Sequence, residues 1–120
     1  GRQRKFRREI KAYRQAIELD PVYVRAIYNL AVAYEDAQRY EDALTQYARV
    51  VELDPGAVDA WVNKGILHAR LGQVDAAIAS YRRVLLDDAE IADAWFNLGI
   101  AFARKADQAT EQATRTKLIA

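Results

Sequence analysis

The stretches "AIYNLA" at 26–31, "AWVNKG" at 60–65 and "AWFNLG" at 94–99 are copies of one pattern at equal spacing. Each places an asparagine inside an apolar, helix-like pattern, although asparagine forms helices poorly because its amide competes for backbone hydrogen bonds. A fixed period of about 34 residues predicts a chain built from stacked supersecondary repeats.

The same period runs through much of the chain. Further positions that coincide at this spacing are small residues, aromatic residues or histidine, tyrosines and alanines: Ala31, Gly65 and Gly99; Tyr34, His68 and Phe102; Tyr13, Tyr47 and Tyr81; Ala43 and Ala77. Within one repeat, Ile27, Leu30 and Tyr34 lie on one stripe of a helix, and a second stripe begins at Tyr40 after a short break. Each repeat is therefore predicted to hold two helices, with a small residue where the partner helix approaches closely.

The repeat pattern predicts the organisation of the chain. Helices are expected over much of 3–19 and over 22–37, 40–53, 56–71, 74–86 and 90–105, packed as antiparallel neighbours. We predict one domain over 1–120: a partial repeat with only its second helix at 1–23, repeats at 24–57 and 58–91, and a degenerate repeat or capping helix at 92–120. Residues 107–120 offer Ala and Thr where a core helix offers Leu and Tyr, so this segment is expected to cap, fray or extend the preceding helix.

The motif W-x-x-(L/K)-G-x-x-(Y/H/F), followed by A-x-x-x-Y and a closing proline, resembles the tetratricopeptide repeat, whose length matches the period seen here. The resemblance covers residues 24–91 as two repeats, with single-helix fragments on either side. It implies an all-α solenoid of stacked antiparallel helix pairs, a superhelix, that acts as a non-catalytic protein–protein interaction module. Departures from the pattern are Lys64 in a leucine slot, Glu9 and Glu111 in the alanine slot, and Asp88–Ala89 in place of the closing Asp–Pro.

The composition is that of a folded protein. Of 120 residues, 52% are hydrophobic and 29% charged, and the absence of cysteine excludes disulfides and zinc sites of the cysteine type. Residues 1–14 carry seven Lys and Arg against one Glu. We interpret this as the solvated face of an amphipathic helix rather than as a nucleic-acid or membrane contact, neither of which is expected. No apolar run of bilayer length and no signal pattern stands in the chain, which favours a cytoplasmic location.

No catalytic constellation accompanies the repeat. His68 occupies an aromatic slot and is expected to be a packed, hydrogen-bonded side chain rather than a ligand or base. Ser80 has no base in a comparable slot, and the cluster of Asp87, Asp88 and Glu90 lacks the alternating spacing of a calcium loop. We expect no enzyme activity, no cofactor and no metal.

Two faces of each first helix have different predicted roles. Trp95, Leu98, Gly99 and Phe102 fall on one side of their helix and are predicted to pack against its partner, so Trp61→Ala should open a core cavity. The opposite side carries asparagines flanked by apolar residues and arginines and is predicted to face a concave groove. The candidate peptide-binding residues are Tyr28, Asn29, Val32, Val62, Asn63, Ile66, Arg70, Phe96, Asn97, Ile100 and Arg104. Because Ile66 is placed on this face, Ile66→Glu is expected to leave the fold intact.

The asparagines have two interpretations, and both stay open. They are common in this slot of the family and can satisfy local backbone groups, or they form a ladder of one amide per repeat for an extended peptide backbone. The apolar row beside them favours binding slightly, since contiguous exposed apolar surface usually marks an interface.

The expected partner is a peptide or a partner helix of unknown identity. The family's clamp for acidic chaperone tails uses Lys and Asn where this chain has Tyr28 and Val32, so chaperone tails are disfavoured. The alternative is a scaffold that self-associates into a homo-oligomer through its groove or its end faces, because both terminal repeats are incomplete and leave apolar surface uncovered.

Overall fold

The computed structural model describes residues 1–119, and these form six α-helices without a strand. They are α1 (Arg2–Leu19), α2 (Val24–Asp36), α3 (Tyr40–Leu53), α4 (Val58–Arg70), α5 (Val74–Asp87) and α6 (Ala92–Ile119). Apart from the C-terminal end of α6, each helix begins and ends within two residues of its predicted bounds. The predicted all-α fold class is confirmed. In the repeat register, α2, α4 and α6 are first helices, and α1, α3 and α5 are second helices.

A left-handed residue ends α2 and α4. Gln38 has φ 62° and Gly72 has φ 79°, and the two occupy the same slot of successive repeats. The next residue in each case donates its N–H five residues back, from Arg39 to the Tyr34 carbonyl and from Gln73 to the His68 carbonyl, both at 2.8 Å. This is the hydrogen-bonding pattern of a Schellman helix end. It reverses the chain, so that the second helix can return along the first.

Helix α6 has no such end. Ala106 occupies the slot of Gln38 and Gly72, and it is helical. Alanine is the strongest helix former and avoids the left-handed region, so nothing in the sequence stops the helix there. Of the three outcomes expected for residues 107–120, the structure shows extension: α6 continues to Ile119 as a helix of 28 residues. Its second half is exposed throughout.

The turns that precede the first helices also repeat. Asp20, Asp54 and Asp88 share one slot of the repeat, and each accepts the backbone N–H two residues later on its Oδ1, at 3.3, 3.2 and 2.9 Å. These are Asx-turns, which reproduce a backbone turn with a side chain. Because the turn depends on the aspartate, the third one forms without the proline that follows Asp20 and Asp54.

The tryptophans contact these turns. The indole N–H of Trp61 donates to the Pro55 carbonyl at 2.9 Å, and that of Trp95 donates to the Ala89 carbonyl at 2.7 Å. Trp61 is half-buried and Trp95 is 54% exposed. The predicted packing of Trp95 and Phe102 against a partner helix is therefore wrong, whereas the prediction that the last repeat leaves apolar surface uncovered is confirmed there. No second helix within the described residues covers their side of α6.

Contacts divide the chain into two compact units, Gly1–Lys64 and the part from Gly65 onward. In the first unit α2 packs against both α1 and α3. Its most completely buried side chains include Ile27, Ala31, Ala43, Tyr47 and Val50. In the second unit α5 packs against α6. The core cluster there consists of Val74, Ala77, Ile78, Tyr81, Leu98 and Ala101.

Candidate peptide-binding surface

A pocket in the second unit brings together five predicted site residues. It has a volume of about 300 Å³. Ile66 and Arg70 of α4 and Asn97, Ile100 and Arg104 of α6 line it, together with Ala69, Tyr81 and Ala101. The predicted residues share it because α4 and α6 are both first helices, and their residues lie three or four positions apart on one face.

The polar side chains of this pocket are held in place. Arg104 donates from Nη1 to the Ala69 carbonyl at 3.1 Å, which fixes its guanidinium between α4 and α6. Asn97 donates from Nδ2 to the carbonyl of Asp93 at 2.9 Å, one turn earlier in the same helix. Burial raises the pKa of the Tyr81 phenol, and the positive charge of Arg104 opposes that shift. The pocket therefore combines positive charge with an amide oriented by its own helix.

The apolar side chains of the pocket differ in exposure. Ile100 is 40% exposed. Ile66 is half-buried and packs against the core cluster of the second unit, as Ala69 does. Ile66 is thus a support of the fold as well as part of the pocket wall, unlike the purely surface position expected for it. Phe96 is 70% exposed on α6, and it does not line this pocket.

In the first unit, Tyr28 and Asn29 line a separate pocket of about 410 Å³. Its polar lining also includes Arg25 and two carboxylates, Asp54 and Asp59. The two carboxylates disfavour an anionic ligand. Asp59 also contributes to the raised pKa of Tyr28, after burial, which is the larger cause. Of the remaining predicted residues, Val32 and Val62 are half-buried, and neither lines this pocket.

Asn63 takes part in a hydrogen-bonded chain inside the first unit. Its Nδ2 donates to the hydroxyls of Tyr28 at 3.1 Å and Tyr47 at 3.4 Å. The Tyr47 hydroxyl in turn donates to Oε1 of Glu35 at 2.8 Å. The two tyrosine rings meet edge to face, with centroids 5.8 Å apart. Burial raises the pKa of Tyr47 well above its ordinary value, and the Glu35 carboxylate adds to the shift.

The asparagine slot is therefore used differently in two repeats. In "AWVNKG" the amide nitrogen bridges two tyrosine hydroxyls, whereas in "AWFNLG" it bonds its own helix backbone. The sequence explains part of this contrast, since the slot of Tyr28 holds Val62 in the next repeat, and valine has no hydroxyl. Sequence reasoning missed this tyrosine pair, and it also missed Tyr81 and Asp54 as pocket residues. The sequence did contain a signal for these tyrosines, because tyrosine recurs at the slot of Tyr47 and Tyr81.

The single histidine has a structural contact. Nδ1 of His68 lies 2.8 Å from Oε1 of Gln73, so the imidazole is hydrogen-bonded as predicted. Within residues 1–119, no group of three or more His, Asp or Glu side chains is arranged to hold a metal ion. No helix in the same range is both long and apolar enough to cross a bilayer.

The left-handed helix ends, the Asx-turns and the paired helices all recur at one period, and together they define a helix-pair repeat fold. A family model described as tetratricopeptide repeat matches three overlapping segments, residues 1–58, 34–89 and 62–113. This chain belongs to the tetratricopeptide repeat family. The fold of that family generally presents a binding surface for other proteins.

Solved structures share this fold. The crystal structure of MamA superposes with a TM-score of 0.76 at 26% identity, over 81% of this chain and 57% of that one. This chain thus spans just over half the length of MamA. The second tetratricopeptide domain of human RPAP3, solved with the HSP70 peptide SGPTIEEVD, gives 0.73 at 26% identity and covers 82% of both chains. The first such domain of Spaghetti (RPAP3), bound to the HSP90 peptide SRMEEVD, gives 0.78 at 23% identity, over 87% of this chain and 82% of that one. No curated protein matches the sequence.

Proposed function

We propose that this chain is a non-catalytic interaction module that binds an extended peptide or partner helix on the surface of its first helices. The observation that carries the proposal is the second-unit pocket, in which Ile66, Arg70, Asn97, Ile100 and Arg104 lie together. An apolar wall supplies burial for a side chain, and the amide and guanidinium groups supply orientation. The peptide complex of the human RPAP3 domain, at 26% identity, supports the same mode of use.

The chemistry of the pocket favours a peptide with an aliphatic side chain next to an acidic one. The aliphatic side chain would contact Ile100, and the carboxylate would meet the guanidinium of Arg70 or Arg104. Arginine suits this role because its planar donors match a carboxylate. Neither interpretation of the asparagines would then hold for both residues. Asn97 would contact the peptide through the amide N–H and the amide oxygen that its helix does not use. Asn63 would instead hold the two tyrosines of the first unit.

Acidic chaperone tails fit the first unit poorly. Tyr28 and Val32 stand where the clamp for such tails uses other residues, and Asp54 and Asp59 line the adjacent pocket. We therefore propose that the first unit does not bind the HSP70 and HSP90 peptides of the neighbouring structures.

The test is selection of peptides from a random phage-displayed library, followed by fluorescence polarisation with labelled synthetic copies. We expect the selected peptides to lose at least about tenfold in affinity for Ile100→Glu and for Asn97→Ala. Leu86→Glu is the matched control, because Leu86 is an exposed apolar residue outside the pocket. Equal affinity of the wild type, Ile100→Glu and Asn97→Ala would overturn the proposal. Tight binding of SGPTIEEVD that Ile100→Glu leaves unchanged would overturn the exclusion of chaperone tails from the first unit.

A further inference from the structure

The first-unit pocket of about 410 Å³ differs in charge from the pocket of the second unit. Its charged lining consists of the carboxylates of Asp54 and Asp59 and the guanidinium of Arg25, so negative charge is in excess. The charged groups that line the second-unit pocket are the guanidiniums of Arg70 and Arg104. The two pockets therefore favour ligand groups of opposite charge.

The two carboxylates are held by the turn and the helix that carry them. Oδ1 of Asp54 accepts the N–H of Gly56 at 3.2 Å, which fixes the carboxylate and leaves its Oδ2 outside that bond. Asp59 stands in the first turn of α4, where a helix stabilises negative charge. Within residues 1–119, no ion pair joins Arg25 to either carboxylate. The guanidinium thus does not neutralise them by direct contact.

The rest of the pocket suits the methylene chain of a long side chain. Tyr28 lines it, and its ring is held by the edge-to-face contact with Tyr47 and by the hydrogen bond that its hydroxyl accepts from Asn63. Lysine and arginine are the side chains that combine an apolar stem with a cationic end. The stem would lie along small aliphatic side chains that also line the pocket: Val24, Val50, Ala57 and Val58.

Two positive groups oppose a cationic ligand, and neither reverses the balance. Arg25 carries one full charge, and the N-terminal end of α4 carries about half a charge. Together they remain below the two carboxylates. The phenol of Tyr28 is subject to the same negative field, because the Asp59 carboxylate raises its pKa further after burial, which is the larger cause.

We propose that the first-unit pocket binds the cationic side chain, lysine or arginine, of a peptide ligand. The charged end would lie at the carboxylates of Asp54 and Asp59, and the methylene chain would lie against Tyr28 and the aliphatic lining. The inference rests on the proposed function in assigning this side chain to a peptide. It adds a second binding pocket, whose preferred charge is the opposite of that of the second-unit pocket.

Chemical-shift titrations of the isotopically labelled chain test the proposal. The probes are capped pentapeptides of alanine with a central lysine, arginine, glutamate or norleucine, which keeps the methylene chain without the charge. We expect saturable shifts of the amide signals of Tyr28, Asn29 and Gly56 with the lysine and arginine peptides. Their affinity should exceed that of the norleucine peptide by about fivefold or more, because two exposed carboxylates contribute.

Three results of these titrations would overturn the proposal. The first is the absence of a saturable shift at these residues with both cationic peptides. The second is equal affinity for lysine and norleucine, which would make the pocket merely apolar. The third is tighter binding of the glutamate peptide there, which would mean that Arg25 and the end of α4 dominate the pocket.

Substitutions of similar shape test each charge separately. Asp54→Asn and Asp59→Asn should each weaken binding of the lysine peptide by about two- to fivefold, and asparagine can still form the Asx-turn at residue 54. Arg25→Gln should tighten binding by about twofold, because it removes a repulsive charge. Asp20→Asn is the matched control, since Asp20 forms the same turn one repeat earlier and does not line this pocket. Weaker binding of Arg25→Gln, or an equal loss for Asp20→Asn, would contradict the proposal.

The same titrations read the two pockets separately. Shifts at Tyr28 and Gly56 report on the first unit, and shifts at Asn97 and Ile100 report on the second. A lysine peptide that shifts only the second-unit signals would overturn the present proposal. A glutamate peptide that leaves Asn97 and Ile100 unshifted would count against the proposed function alone. Far-UV circular dichroism checks that each variant is folded.

Discussion

The backbone of Gly65 lies against the ring of Tyr81, and a Cβ on Gly65 would stand 2.5, 2.9 and 3.0 Å from three atoms of that ring. Tyr81 is only 2% exposed. This contact explains why a helix interior tolerates glycine, which costs about 1 kcal/mol relative to alanine in an ordinary helix. The close approach predicted for the small-residue slot is thus confirmed at Gly65.

Two glycine substitutions should consequently have opposite effects on stability. Gly65→Ala should lower the free energy of unfolding by about 1–3 kcal/mol, because the overpacked ring must shift. Gly99→Ala should raise it by about 0.5–1 kcal/mol, because the added methyl group meets nothing within 4 Å and alanine favours the helix. Urea unfolding at a concentration where the chain is monomeric measures both, and effects of the same sign would contradict the assigned packing.

Gln38 and Gly72, the left-handed residues that end α2 and α4, can be exchanged by mutation between the two repeats. Gln38 adopts a left-handed conformation with φ 62°, where a side chain costs about 1 kcal/mol that glycine avoids. Gln38→Gly should therefore raise the melting temperature. Gly72→Gln places the same side chain at φ 79° and should lower it. Calorimetry of the two variants and of the double variant should show shifts that nearly cancel.

The same substitution at Ile66 and at Ile100 distinguishes a residue that supports the fold from a residue of the exposed surface. Ile66 packs against the second-unit core, so Ile66→Glu should cost about 2–4 kcal/mol by burying a carboxylate, contrary to the expectation from sequence. Ile100 is 40% exposed, and Ile100→Glu should cost less than about 1 kcal/mol. Chemical denaturation compares them, and a stable Ile66→Glu would return that residue to the surface.

The two asparagines should differ in the same kind of experiment. Asn63→Ala removes the donor shared by the Tyr28 and Tyr47 hydroxyls and should destabilise the chain by about 1 kcal/mol. Asn97→Ala loses only a bond to its own helix backbone and gains helix propensity, so its stability should change by less than about 0.5 kcal/mol. Combining Asn63→Ala with Tyr28→Phe should give less than the sum of the single effects, since both remove one hydrogen bond.

The sequence predicted the helices well because their signals are local and occur in every repeat. The repeat period, the apolar stripes and the turn residues place all six helices. The apolar stripe alone did not decide the burial of Trp95 and Phe102, because burial depends on a partner helix. The weak second-helix pattern after residue 106 did indicate that this side would be uncovered. In the first repeat, where a second helix follows, the equivalent residues Ile27 and Tyr34 are buried. On α6 no second helix follows within the described residues, because Ala106 lets the first helix continue.

The candidate site could be predicted only as far as local spacing along one helix determines it. Helical spacing was enough to group Asn97, Ile100 and Arg104. Which hydrogen bonds an amide makes depends on residues from other helices, so the spacing could not distinguish Asn63, bonded to two tyrosines, from Asn97.

Alkaline pH should destabilise the chain through Tyr47. Burial raises the pKa of its phenol above the ordinary value of 10.0, and the hydrogen bond to Glu35 adds to that shift. The folded state therefore holds this proton more tightly than the unfolded state. Its contribution to stability is complete below the ordinary pKa and is lost as the pH rises towards the folded-state pKa. Tyr28 and Tyr81 are shifted in the same direction and add to the loss.

Tyr47→Phe isolates this contribution. At neutral pH the variant should be less stable than the wild type, because the bond from the hydroxyl to Glu35 is gone. Above about pH 10 the difference should shrink, since only the wild type has a phenol at residue 47 that ionises on unfolding. Urea unfolding of both proteins between about pH 7 and pH 11 gives the difference directly, and lysine titration cancels in the comparison. A difference that stays constant over this range would mean that Tyr47 ionises as easily in the folded chain as in the unfolded one.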